Sequence, residues 1–129
     1  MDVLGRDVTL AALAMSQEAL TKRLELISQN IANVNTPDYK RRDISFIDEL
    51  STALDAPAAN REERVAKVGQ AVAREIVEER LFTRPDMGGV DIDREMAELA
   101  KTQMRLDATH MLAYRKIRQY RTVIKEGRI

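Results

Sequence analysis

Apolar side chains recur near the start of the chain at Leu10, Leu13, Leu20, Leu24, Ile27, Ile31 and Val34, with Gln17 as a single polar interruption. The steps alternate three and four without a slip, the signature of a heptad seam along one side of a helix. Good helix formers fill most positions between them. The rhythm breaks at Asn33-Val34-Asn35-Thr36-Pro37, where proline lacks a backbone donor and pushes Thr36 out of the α region. The pattern predicts one helix over 7–34, about 40 Å long at 1.5 Å per residue.

The far end repeats the pattern. Ile92, Met96, Leu99, Gln103, Leu106, His110, Ala113, Ile117, Tyr120 and Ile124 alternate four and three. Asp91 and Asp93 stand where a helix takes an N-cap and first-turn carboxylates, and Arg115, Lys116, Arg118, Arg121 and Lys125 complement the negative end of its dipole. A second helix is predicted over 91–125, roughly 50 Å long. Two narrow seams predict that the helices pair as a coiled coil, Leu13, Leu20, Leu24, Ile27 and Ile31 meeting Leu99, Leu106 and Ile117. Gln17, Gln103 and His110 cost seam stability and fix register. Strips this narrow bury little area, so an isolated monomer is expected to be marginally ordered.

The middle carries weaker signals. Ile44, Ile47, Leu50 and Leu54 predict a short helix over 43–54, and the polar run 55–63 around Pro57 reads as a flexible loop. Val65, Val68, Val72 and Ile76 fit a helix over 65–82, while Gly69 and the β-branched content allow a strand pair. Residues 84–89 read as a turn. The expectation is therefore one mainly α domain over 1–129. It has a helix over 7–34, a turn and variable middle over 35–90 with a possible small hairpin, and a helix over 91–125.

Composition sharpens this picture. Hydrophobic residues make up 44 %, but 16 of them are Ala, aromatics reach 4 % and Trp is absent, so a thick core is not available. The absence of Cys removes disulfides, thiol nucleophiles and Cys-based metal sites. The longest apolar run, 10–15, is too short to span a bilayer. Ala12-Leu13-Ala14 has the look of a signal-peptidase site, but Asp2 and Asp7 make the leader acidic and the helical repeat runs through the cut, so no cleavage is expected.

Candidate chemistry is sparse. His110, the single histidine, falls on the seam, and no nucleophile occupies a G-x-S-x-G elbow. Asp91, Asp93 and Glu95 open like a calcium loop, but its sixth and twelfth positions would be Met96 and Thr102, which excludes an EF-hand. Gly88-Gly89 lacks the Lys-Ser/Thr of a phosphate loop. The stretches 39–42 (YKRR) and 114–121 (YRKIRQYR) interleave aromatics with bases, yet the chain balances 21 bases against 21 acids. An acidic block over 75–98 and a basic one over 114–129 suit contact between subunits better than nucleic-acid binding. No catalytic residue, cofactor, metal or small-molecule substrate is expected.

The stretch 28–46, S-Q-N-I-A-N-V-N-T-P-D-Y-K-R-R-D-I-S-F, resembles the N-terminal signature of bacterial flagellar rod, hook and filament-junction proteins, and from Tyr39 onward the proximal-rod members in particular. A second stretch, 84–86 with 89–96 (G-V-D-I-D-R-E-M), resembles those members' entry into their C-terminal helix. The chain departs from the family at Asp38, where Gly usually follows the Pro, and at Thr102 and Leu106, where Asn and Tyr are usual. The resemblance implies a non-enzymatic structural subunit of the basal-body rod, its terminal helices lining a torque-transmitting tube. It implies an assembly motif of Asn30, Asn33, Asn35, Thr36, Pro37, Tyr39, Asp91, Asp93 and Glu95 that packs against neighbours. Implied partners are copies of itself, other rod proteins, the rod-base adaptor, the MS ring and the export gate, with export lacking a cleaved signal peptide. The residues alone leave open a cytosolic helical adaptor that binds one partner helix.

Overall fold

The computed structural model describes residues 7–79 and 89–127. The elements run α1 (Val8–Ala32), β1 (Arg42–Ser45), α2 (Ile47–Asp55), α3 (Arg61–Gly69), β2 (Arg74–Val77) and α4 (Ile92–Glu126). Asp7 starts α1 by accepting from the N–H groups of Thr9 (2.8 Å) and Leu10 (3.1 Å), and Asp91 starts α4 by accepting from that of Asp93 (3.0 Å). No described helix is long and apolar enough to cross a membrane.

The two long helices pack against each other along their length. They run antiparallel, because Lys116 meets Asp7 at the start of α1 while Glu95 meets Asn30 in its last turn. A small lobe fills the rest. β1 and β2 pair antiparallel, Arg42 opposite Val77 and Ser45 opposite Arg74. α2 and α3 lie between them in sequence, and α3 packs on both α1 and α2. Among the described residues the buried apolar side chains are Ala19, Leu26, Ile27, Val68, Val90 and Leu106, a thin core of the kind an alanine-rich composition permits.

Three expectations change. The helix predicted over 43–54 begins only at Ile47, since 42–45 pairs as a strand. Over the described part of the segment 65–82, up to residue 79, there is neither one helix nor a local strand pair: α3 ends at Gly69, and β2 pairs back with β1. α3 also takes up the end of the loop expected over 55–63, with Asn60 accepting from the Glu63 N–H (2.8 Å) as its cap. The turn expected over 84–89 falls mostly on residues outside those described.

The seam of α4 is also turned. Its buried and half-buried line is Glu95, Leu99, Thr102, Leu106, Thr109, Ala113, Lys116 and Tyr120. Leu99, Leu106, Ala113 and Tyr120 belong to the predicted seam, but Met96 and Ile117 are 53 % and 42 % exposed, and Gln103 and His110 also face out. The contact line is rotated by about 50° from the apolar one. Polar pairs set this rotation: Glu95 with Asn30, Glu98 with Arg23 and Lys116 with Asp7. On α1, Ile27 is buried and Leu13, Leu20, Leu24 and Ile31 are half-buried. Ala19 and Leu26, outside the predicted seam, are buried because α1 also carries α3 and β1.

Candidate functional site at the end of the first helix

Where α1 ends, the chain must reverse into β1, and polar side chains make that reversal possible. Asn33 donates from its side chain to the Gln29 carbonyl (2.7 Å), and the Thr36 hydroxyl donates to Asn33 Oδ1 (3.1 Å). Asp38 completes the turn at φ 58°, the left-handed region that glycine fills without strain. Asn35, Thr36, Pro37 and Asp38 form an exposed tip.

Asn30, one turn earlier, points inward and is fully buried. Its Nδ2 donates to the Arg42 carbonyl (2.8 Å) and to Glu95 Oε2 (3.1 Å), while its Oδ1 accepts from the Arg42 N–H (3.0 Å) and the Tyr39 hydroxyl (3.3 Å). Every hydrogen-bonding position of the amide is filled. Asn30 grips the backbone of β1 as a neighbouring strand would.

Arg41, 2 % exposed, lies beside it and donates three ways: to Glu95 Oε1, to Glu78 (2.9 Å) and to Asp43 (3.0 Å). Asp43 also receives a two-pronged contact from Arg23 (2.8 and 3.0 Å), and Arg23 reaches on to Glu98 (3.0 Å). Arg94 closes the rim on Glu78 (3.1 Å). Burial raises the Asp43 carboxyl, but the Arg23 guanidinium, the Ile44 N–H and Arg41 outweigh it and hold the group below its ordinary value. Two arginines and their carboxylates thus share one enclosure in which each buried charge has partners, the condition for tolerating burial.

A smaller clasp closes the other end of the helix pair. Asp7, 3 % exposed, accepts from the Tyr120 hydroxyl and pairs with Lys116 (3.3 Å) while capping α1. Burial pushes its carboxyl up, but Tyr120, the Leu10 N–H and Lys116 bring it down to about 2.

The predicted motif is therefore split. Asn30, Tyr39 and Glu95 meet inside; Asn33 and Thr36 build the turn; Asn35 and Pro37 face outward; Asp91 caps α4 and Asp93 lies exposed on its first turn. Sequence reading missed Arg23, Arg41, Asp43, Glu78, Glu98 and Thr102. A usable signal was present, since Arg23 stands one heptad before Asn30 and Thr102 one heptad after Glu95, forming polar lines beside the apolar ones. Chemically, the cluster engages each carboxylate with a guanidinium and holds backbone segments together. It ties the end of α1, both strands and the start of α4 into one unit. No group of three or more His, Cys, Asp or Glu side chains able to hold a metal occurs among the described residues.

The stretch that folds into α1 and the turn matches a known family, and most of the chain matches individual relatives. A family model described as flagella basal body rod protein matches residues 11–40. The flagellar basal body rod protein FlgB of Salmonella typhimurium is 36 % identical over 112 residues, covering 74 % of this chain and 79 % of that protein. The FlgB of Cereibacter sphaeroides is 34 % identical over 80 % of this chain and 83 % of its own length. That of Escherichia coli K12 is 28 % identical over 91 % and 95 %. With two long helices packed side by side and a short two-stranded middle, this chain belongs to the FlgB family and is a structural protein of the flagellar basal-body rod.

Proposed function

We propose that the chain enters the rod as a preset unit, in which the polar cluster fixes the angle between the helix pair and the small lobe. The observation that carries this reading is the burial of Asn30, Arg41 and Glu95 at 0–2 % exposure where four segments meet. A matched buried ion network adds little net stability, but it penalises every misregistered arrangement that would leave a charge unpaired. That property suits a subunit that must transmit torque without bending at its joint. The exposed tip Asn35–Asp38 and the outward apolar side chains Met96, Met104, Met111 and Ile117 supply the surfaces through which neighbours dock. Copies of the chain, other rod proteins, the rod-base adaptor, the MS ring and the export gate are the partners this reading assigns, with delivery through the flagellar export apparatus.

Complementation tests it. Cells lacking the chain should regain motility and intact basal bodies when supplied with it, and Glu95→Ala should abolish both. Full motility with Glu95→Ala and with Asn30→Ala would overturn the proposed role of the cluster.

A further inference from the structure

Each long helix carries a second heptad line on the side turned away from the other. On α1 it runs Ala14, Glu18, Thr21, Glu25, Ser28, Ala32, every position exposed. On α4 it includes Met104, Ala108, Met111, Arg115, Arg118, Thr122 and Lys125, again all exposed. The steps alternate four and three in both, as in a packing seam. The α1 line is small and acidic with no base in it; the α4 line is large and basic with no acid in it.

Their charges are available. Glu18, Arg115, Arg118 and Lys125 have no ion-pair partner among the described residues, and Glu25 is engaged by neighbours on its own helix, pairing with the exposed Lys22 (3.1 Å) and accepting from the Gln29 side-chain amide (3.2 Å). The α1 line also borders a groove of about 520 Å³ with apolar walls from Met15, Ala19, Phe46 and Val72. Val72 is 69 % exposed there.

Building on the rod reading, we infer that this groove receives the C-terminal half of α4 from a second copy of the chain. The spacings select a register. Glu18 and Glu25 stand one heptad apart, as do Arg118 and Lys125. An antiparallel pairing sets Glu25 against Arg118, Glu18 against Lys125 and Thr21 against Thr122, and it drops Met111 onto Ala32, a small residue that leaves room for it. The contact is heterologous, so each copy offers its own α4 onward and the chain of contacts does not close on itself as a two-fold dimer would.

The absence of cysteine permits a direct test. Thr21 and Thr122 cannot bridge within one chain: Asp7, beside Lys116 and Tyr120, lies 14 residues and about 21 Å along α1 from Thr21, far beyond disulfide reach. In basal bodies from cells making Thr21→Cys/Thr122→Cys, oxidation should convert most of the chain into dimers and a ladder of higher multimers, with neither single-cysteine chain cross-linking. A monomer band alone, or equal dimer from a single-cysteine chain, would overturn the contact. Charge reversal gives a second arm: Glu18→Lys/Glu25→Lys and Arg118→Glu/Lys125→Glu should each cut incorporation at least tenfold, and combining all four should restore it. Normal incorporation of either reversal, or no recovery in the combination, would count against the pairing while wild-type complementation keeps the rod reading standing. Failure of the wild-type chain to complement would remove both.

Discussion

Asn30 shows how much one side chain decides at the residue scale. A carboxylate of the same size lacks the two N–H groups that reach Arg42 and Glu95, and it would face the Glu95 carboxylate directly. Asn30→Asp is expected to destabilise the fold by about 3 kcal/mol or more, measured by urea unfolding, through unmet buried groups and like-charge repulsion. Asp38 makes the opposite case. Its left-handed backbone costs an L-residue more than glycine, and its side chain is exposed, so Asp38→Gly should stabilise by about 0.5–1 kcal/mol. The sequence pointed to Asn30, Tyr39 and Glu95 but not to their inward direction. Arg41 and Asp43 sit in a run that looks like a solvated surface, and the burial of Arg41 depends on distant carboxylates, Glu78 and above all the fully buried Glu95, 54 residues away.

Among the elements, α4 is where hydrophobic periodicity and structure part company. Periodicity favours the line through Met96 and Ile117, whereas Glu95 with Asn30, Glu98 with Arg23 and Lys116 with Asp7 turn the helix toward its polar flank. Apolar patterns cannot register such pairs, because each needs a partner on another element. The two seams give different outcomes on mutation. Leu106→Glu buries a charge at a position 8 % exposed and should cost about 3–4 kcal/mol, while Ile117→Glu should change folding stability by only about 0.5 kcal/mol. Equal losses from the two in thermal unfolding would restore the predicted seam. The Asp7 clasp gives this pair a pH dependence. Because its carboxyl titrates near 2 when folded against an ordinary 3.8, its stabilisation is full above about 4 and is lost as pH falls toward 2. Asp7→Asn should therefore flatten the acid limb of the stability profile between pH 4 and 2, by about 1–2 kcal/mol after screening.

For the whole molecule, the long paired helices, the thin core and the absence of a thick lobe were legible in alternating threes and fours and in an alanine-rich composition. The two-stranded sheet was legible only as a possible small hairpin in the middle, and its pairing partners were not, because strands of four residues separated by two helices leave no local signal of which segment each one meets. The charge blocks were half legible. Glu75, Glu78, Glu95 and Glu98 of the acidic block are occupied by Arg42, Arg41, Arg94 and Arg23 of the same chain, whereas Arg115, Arg118 and Lys125 of the basic block face outward. Stability is accordingly uneven along the pair. The cluster gathers with Leu26, Ile27 and Val90 at the Asn30 end, Ala19 and Leu106 lie near the middle, and α4 runs on past Tyr120 with Val123 and Ile124 about two-thirds exposed. Local opening is easiest where buried contacts are fewest. In the purified monomer, amide exchange is therefore expected to be slowest over 95–106 and fastest over 121–126, with the fast segment slowing markedly on incorporation into the rod. Uniformly slow exchange out to residue 126 in a verified monomer would show that the helix holds itself there, without a neighbour.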